Sequence, residues 1–166
     1  MEERLDSSQF STAIMAFSTV TAALFSGIIS FLVCKWQISR INISSEEARL
    51  NTELTNILKI QIKYPFLEDT QFTNDWNGDK ALGNDKKRLD YHRYDSYCCL
   101  LFNFLSQIYD LYKGNIEKID NFFAVEEVVN IHNKWWQNPL HPRDNIEGYS
   151  GGFRHYIDSI ILRSKK

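Results

Sequence analysis

The chain is poor in the residues that interrupt regular structure. Only 3 prolines and 7 glycines occur among its 166 residues, while 43% of the side chains are hydrophobic. This composition excludes a collagen-like, low-complexity or disordered chain, because enough apolar surface is present to build a core. At this length we expect one packed domain rather than two independent ones.

Cysteine and histidine are also scarce and badly placed for chemistry. The three cysteines, Cys34, Cys98 and Cys99, form no CxxC pair and no disulfide framework, which favours a reducing compartment. The four histidines are scattered, without an HExxH motif. No metal and no cofactor is therefore expected, and Cys98 and Cys99 are interpreted as packed thiols.

An excess of positive charge is missing as well. The chain carries 19 basic and 21 acidic residues, and the difference of −2 is already supplied by its acidic first six residues. Proteins that bind nucleic acid through phosphate contacts usually have a basic excess. We therefore expect no strong direct nucleic-acid surface.

Against these absences stands one long uncharged stretch. Residues 7 to 34 contain no charge, and the apolar part from Phe10 to Val33 is long enough to cross a bilayer as a helix. The stretch predicts a short tail at 1–6, an uncleaved transmembrane helix at 7–35 and a single domain at 36–166. Because Lys35 and Arg40 follow the stretch while acids precede it, the domain is expected in the cytoplasm.

The predicted span is unusually rich in hydroxyl groups. Large residues repeat every seven positions on one side, at Phe10, Phe17, Leu24 and Phe31. Small residues occupy the other side and are the candidates for a helix interface or a pore lining: Ser11, Ser18, Thr19, Ala22, Ser26 and Ser30. Two interpretations stay open, close helix association and a conducting lumen. A third is that each hydroxyl bonds the carbonyl four residues earlier.

The rest of the sequence predicts helices and no strands. Apolar residues at helical spacing predict helices near 44–63, 85–113, 117–137 and 153–164, joined by loops at 65–84 and 138–152. Ser44 and Glu47 have the spacing of a capping box, which would start the first of these helices. The alternative is one unbroken helix from the span to Lys63. The fold class is therefore all-α, an N-terminal transmembrane helix followed by a cytoplasmic helical bundle.

One line of polar groups runs along the predicted helix 85–113. Its members are Arg88, His92, Ser96, Cys99, Asn103 and Asp110. Such a strip is a solvated face, a subunit contact or a degenerate active site. Arg88 and His92 are weak catalytic candidates for RNA cleavage, in which an Arg and a His stabilise charge and move protons at a 2′-hydroxyl. His132, among apolar neighbours, is interpreted as a hydrogen-bonded core histidine.

In architecture the chain resembles the membrane accessory proteins of type VI-B CRISPR systems, which combine one membrane helix with a small, divergent HEPN-like body. The resemblance covers the whole chain. HEPN ribonucleases carry an Arg, four to six intervening residues and then a His, whereas three residues separate Arg88 from His92. That departure favours a protein that is not an enzyme.

The resemblance implies a function that composition alone does not supply. It implies a ring-like homo-oligomer in the inner membrane, whose membrane helices form a pore and strengthen antiviral defence when an RNA-guided, RNA-cleaving effector finds its target. We therefore expect a pore-forming accessory protein that permeabilises the membrane. Two alternatives remain: a membrane-anchored HEPN-like ribonuclease and a passive tether for a cytoplasmic effector.

Overall fold

The computed structural model describes residues 7–78, 87–140 and 147–165, with the side chains of residues 7–25 and 27 outside that description. Throughout these ranges the backbone is helix, turn or loop, and no strand occurs in them. The all-α class is confirmed. The chain divides into two compact units, Met1–Ser45 and Glu46–Lys166.

Seven α-helices have defined bounds in the described ranges. They are α1 (Ser7–Lys63), α2 (Thr70–Asn74), α3 (Arg88–Leu111), α4 (Ile116–Phe122), α5 (Val125–Ile131), α6 (Asn133–Gln137) and α7 (Gly151–Ser164). A short 3₁₀ helix at Pro65–Glu68 lies between α1 and α2. The predicted loop at 65–84 is therefore helical in its first half, and residues 79–84 lie outside the described ranges.

The first helix does not begin again near residue 44. Helix α1 continues through that point to Lys63, as the alternative interpretation of the sequence had it. No proline or glycine lies between residues 28 and 63, so no residue in this stretch forces the helix to end. Glu47, predicted to cap a helix, instead accepts a hydrogen bond of 2.7 Å from the Tyr112 hydroxyl.

Helix ends in the second unit follow local capping chemistry. Asp69 accepts a hydrogen bond from the Gln71 amide at the start of α2, and Ser150 does the same for Phe153 at the start of α7. Helix α3 is followed by Lys113 and Gly114, both at positive φ. At Gly114 a Cβ would lie 2.9 Å from the Tyr109 hydroxyl, so only glycine fits this turn.

The single helix predicted for 117–137 is wrong, because the segment forms three short helices. Phe123 adopts an extended backbone (φ −155, ψ 140), which separates α4 from α5. The break lets Phe122 pack on Tyr112 while Phe123 packs edge-on against Phe104. One continuous helix would point these adjacent rings about 100° apart. A second break at His132 separates α5 from α6.

The core of the second unit is aromatic and centres on α3. Phe102 stacks on Trp135 at 5.2 Å and on Trp136 at 4.8 Å between ring centroids. From the C-terminal part of α1, Leu50 and Ile57 are buried in the same core. Burial of this many large side chains is the main source of stability for such a unit.

Candidate functional site

The two catalytic candidates lie near the start of α3 but do not form a site together. Arg88 is exposed and His92 is partly buried. No hydrogen bond or ion pair joins them in the described part of the chain. Most of the polar strip is likewise open to solvent, since Ser96, Asn103 and Asp110 are exposed. This arrangement is that of a solvated helix face.

A different group of polar side chains is brought together inside the second unit. The His132 ring, 0% exposed, lies between the carboxylate of Glu68 and the hydroxyl of Tyr94. Its Nε2 atom is 3.2 Å from Glu68 Oε1, and its Nδ1 atom is 3.0 Å from Tyr94 Oη. The Cys98 sulfur is 3.9 Å from Nδ1. Each nitrogen of the buried ring therefore has an oxygen partner within hydrogen-bond distance.

Two further side chains complete this buried cluster. The Tyr97 hydroxyl donates a short hydrogen bond to Glu68 Oε1, and Gln61 Nε2 donates to both Glu68 (2.9 Å) and Tyr97 (2.6 Å). The cluster therefore joins the last turns of α1, the 3₁₀ helix, α3 and the end of α5. Gln61, Glu68, Tyr97, His132, Tyr94 and Cys98 are referred to below as the buried polar cluster.

The protonation states of the cluster follow from burial and hydrogen bonding. Burial acts to raise the pKa of Glu68, but hydrogen bonds from His132, Tyr97 and Gln61, together with the charge interaction with His132, outweigh it, so this pKa lies below its ordinary value. Burial raises the pKa of both Tyr94 and Tyr97, and the hydrogen bond to the Glu68 carboxylate raises that of Tyr97 further. The cluster therefore holds Glu68 as a carboxylate surrounded by hydrogen-bond donors.

Glu68, His132 and Cys98 contact one another in the order of a catalytic carboxylate, histidine and thiol. A nucleophilic relay needs a thiolate and an approach for substrate. Cys98 is fully buried, and burial raises the pKa of its thiol well above the ordinary value. A protonated thiol without access is not a nucleophile, so the cluster is a structural network that fixes four segments of the chain.

Sequence reasoning recovered only one member of this cluster. His132 was predicted to be a hydrogen-bonded core histidine, and this prediction is confirmed. Glu68, Tyr94 and Tyr97 were missed, because Glu68 lies in a segment without periodicity and tyrosines serve equally well as plain core residues. One signal was available: a buried histidine needs two polar partners, which the sequence must supply from elsewhere.

The residues expected at a helix interface or pore lie on α1. The side chains of Ser11, Ser18, Thr19 and Ala22 lie outside the described residues. Ser26 and Ser30 are described and exposed. No geometry therefore links the six positions in a common lining.

The membrane prediction needs correction. In the part of the chain that the structure describes, no helix combines the length and apolar character needed to cross a bilayer. The single-pass location in the inner membrane, with a transmembrane helix at 7–35 and a cytoplasmic C-terminal domain, is wrong on this finding. Among the described side chains of α1, polar residues interrupt the apolar ones soon after residue 33, at Lys35, Gln37 and Arg40.

The described part of α1 is nevertheless unusual for its exposed apolar side chains. Between residues 28 and 43 nine large apolar side chains are 42–67% exposed. They are Ile28, Ile29, Phe31, Leu32, Val33, Trp36, Ile38, Ile41 and Ile43, and we call them the apolar segment. Large exposed apolar groups in a contiguous row mark a surface that another molecule covers.

Neither metal-binding groups nor similarity to known proteins indicates a function for this chain. Within the described ranges no group of three or more His, Cys, Asp or Glu side chains converges on a point that could hold a metal ion. Comparison with known proteins finds no match: no family model, no curated protein and no solved structure is similar to this chain. The function must therefore be argued from the chain itself.

Proposed function

We propose that this chain is a non-enzymatic accessory protein of an RNA-guided antiviral defence system, and that it acts by assembling with copies of itself through the apolar segment of α1. The second unit, a divergent HEPN-like helical body, serves as the rigid part. The small helical body, the part of the resemblance that does not require a membrane helix, supports the defence role. The exposed apolar segment is the single observation that carries the assembly role. The pore expected from the sequence depends on a membrane-spanning helix and is not part of this proposal.

The apolar segment has the geometry of a helix-pairing surface. At 100° per residue, six of its nine residues, Ile28, Ile29, Leu32, Val33, Trp36 and Ile43, lie within about 140° of the helix circumference, while Phe31, Ile38 and Ile41 lie on the opposite side. A stripe of this width is typical of a helix that packs on another helix. The guanidinium of Arg40 lies over the Trp36 ring at 4.4 Å from its centroid, so this cation is already paired with the stripe.

Leaving this segment in water is costly. Full burial of one Leu, Ile or Phe side chain is worth roughly 1.5–3 kcal/mol, and the segment offers several of them. A second copy of the chain presents the same stripe, so a symmetric pair covers both at once. A ring-like homo-oligomer, which the resemblance implies, would need a second and different contact surface on each copy, so this stripe by itself accounts for the pair.

An enzymatic role has weaker support. Arg88 and His92 make no contact with each other in the described residues and have one residue too few between them for the HEPN motif. The buried polar cluster contains a carboxylate, a histidine and a thiol, but its histidine and thiol are both 0% exposed. Arg88 and His92 therefore form no paired site in the described residues, and the histidine and thiol of the cluster are closed to a substrate.

A phage challenge tests the proposal in cells that carry the RNA-guided effector and a matching guide. Leu32→Glu combined with Trp36→Glu should remove the added protection, because two charges in the stripe cannot be buried between copies. The control is Ile62→Glu, which places one such charge at another exposed position of α1, 79% exposed and outside the segment. The control should protect like wild type.

Three outcomes would contradict the proposal. Protection by the double variant at wild-type protein level would remove the apolar segment from the mechanism. Absence of any protection by the wild-type chain would remove the defence role itself. Loss of protection in both the double variant and the Ile62→Glu control would indicate that charge on α1, rather than the segment, is harmful.

A further inference from the structure

A cavity of about 450 Å³ lies within the second unit, between the last turns of α1, the 3₁₀ helix and the first half of α3. Its walls are mostly apolar, with Ile60, Leu67 and Leu100 supplying aliphatic groups. Cavities that bind small ligands are mostly 300–1,000 Å³ and have apolar walls with a few polar groups. Because Arg93 and Ser96 in its lining are exposed, the cavity opens to the surface and a ligand can enter it.

The mouth of the cavity is cationic. Arg93 and His92 both line it, and the Arg93 guanidinium lies 5.2 Å from the centroid of the Tyr64 ring. The Lys63 ammonium lies 5.2 Å from the centroid of the same ring. Among the described residues, Asp90 lies 2.9 Å from Arg93 Nη1, which leaves Nε and Nη2 of the guanidinium as further donors. The described lining of the cavity includes Arg93 and no acidic side chain.

The floor of the cavity is held rigid by the buried polar cluster. Tyr97 contributes its ring to the wall, while its hydroxyl is fixed by Glu68 and by Gln61 at 2.6 Å. Tyr97 is 3% exposed and Leu67 is 1% exposed, so both belong to the core as well as to the wall. A wall that is already ordered does not have to be immobilised when a ligand binds.

From these observations we propose that the cavity binds a small amphipathic anion, an aliphatic chain that ends in one carboxylate or phosphate group. The chain would lie against Ile60, Leu67 and Leu100. The anionic head would lie at the mouth, where Arg93 offers a planar fork of donors that suits either group. This inference does not depend on the proposed assembly role, because every residue that it uses lies in the second unit.

Calorimetric titration of the full-length protein tests the inference with three probes of equal chain length: decanoate, decyl phosphate and decanol, each below its micelle concentration. Both anions should bind more tightly than the neutral alcohol, and the stronger of the two identifies the head group. Arg93→Gln should weaken anion binding about tenfold and leave decanol binding unchanged, because only the charge-assisted contact is lost. Equal affinity for decanol and both anions would overturn the proposal.

A second pair of variants separates the cavity from the rest of the apolar surface. Ser96 lines the cavity and is exposed, so Ser96→Trp should fill the space without disturbing the core and should abolish binding. The matched control is Asn103→Trp, an exposed position seven residues further along α3, which should bind like wild type. Binding that survives both Ser96→Trp and Arg93→Gln would place the ligand elsewhere, and no binding by wild type would equally refute the proposal.

Discussion

Two stretches of the chain are similarly rich in large apolar side chains but differ in what covers them. In α3, Cys98, Leu101, Phe102, Phe104 and Leu105 are each at most 1% exposed. In α1, the five large side chains between residues 28 and 33 are 47–67% exposed. The comparison shows that an apolar run in the sequence predicts burial but does not identify the surface that buries it. The second unit buries the run in α3, whereas the described side chains of the run in α1 are exposed.

The largest loss of stability is expected from removing a side chain that the second unit buries. Trp135 is 0% exposed, stacks on Phe102 and donates a hydrogen bond of 2.8 Å to Asp95. Trp135→Ala should lower the free energy of unfolding by about 3–5 kcal/mol, from the lost burial and the cavity left behind. Chemical denaturation followed by far-ultraviolet circular dichroism measures this change.

The matched control for that measurement is an apolar side chain that nothing covers. Leu162 in α7 is 66% exposed, and Leu162→Ala should change the free energy of unfolding by less than about 0.5 kcal/mol. Similar losses for both variants would mean that burial is not what distinguishes these positions.

The buried polar cluster should give the next largest effect. His132→Ala leaves the Glu68 carboxylate and the Tyr94 hydroxyl without their shared partner, which should cost about 2–3 kcal/mol of unfolding free energy. His155, exposed in α7, is the control, and His155→Ala should be nearly neutral. An unchanged denaturation midpoint in His132→Ala would show that the cluster adds no net stability.

Acid should weaken the same cluster through Glu68. Because its folded-state pKa lies below the ordinary value of 4.5, Glu68 adds stability that is complete above pH 4.5 and is lost as the pH falls through the folded-state pKa. Glu68→Gln removes this titration. The free energy of unfolding of wild type should therefore fall more steeply than that of the variant below pH 4.5. Parallel curves would show that Glu68 has the same pKa in both states.

The smallest effect is expected at the two catalytic candidates. Arg88→Ala and His92→Ala should change the free energy of unfolding by less than about 0.5 kcal/mol, since Arg88 is exposed and His92 is only partly buried. The purified wild-type protein should not cleave single-stranded RNA. Cleavage by wild type that His92→Ala abolishes would instead establish the ribonuclease alternative.

Periodicity was enough to predict the helical class and two of the longer helices. Helix α3 lies within the predicted range 85–113, and α7 begins two residues before the predicted 153. In both, apolar residues at helical spacing face a core that the same unit supplies, so the local pattern and the tertiary packing agree. Gly114 follows the end of α3 at positive φ, as a helix-terminating glycine does.

Tertiary packing decided the features that periodicity missed. The breaks at Phe123 and His132 contain no proline or glycine, and they place two phenylalanines and a histidine against different neighbours. Glu47 fitted a capping box equally well but contacts Tyr112, 65 residues away along the chain. A local motif does not specify which distant side chain will compete for the same carboxylate. The buried polar cluster was missed for the same reason.

The uncharged stretch gave the prediction that the structure contradicts. Its length alone satisfied the requirement for a membrane span, whereas the described helices do not meet the joint requirement of length and apolar character. Lys35 and Arg40 were used to orient a span, but Arg40 lies over Trp36 within the apolar segment. Arg40 is therefore compatible with a helix-pairing surface.

The central claim is that the apolar segment joins copies of the chain, and sedimentation velocity tests it most directly. The wild-type chain of 19.5 kDa should sediment as an oligomer, and so should the Ile62→Glu control. Leu32→Glu combined with Trp36→Glu should sediment as a monomer with an unchanged circular dichroism spectrum. A monomeric wild type, or a double variant that assembles as wild type does, would contradict the claim.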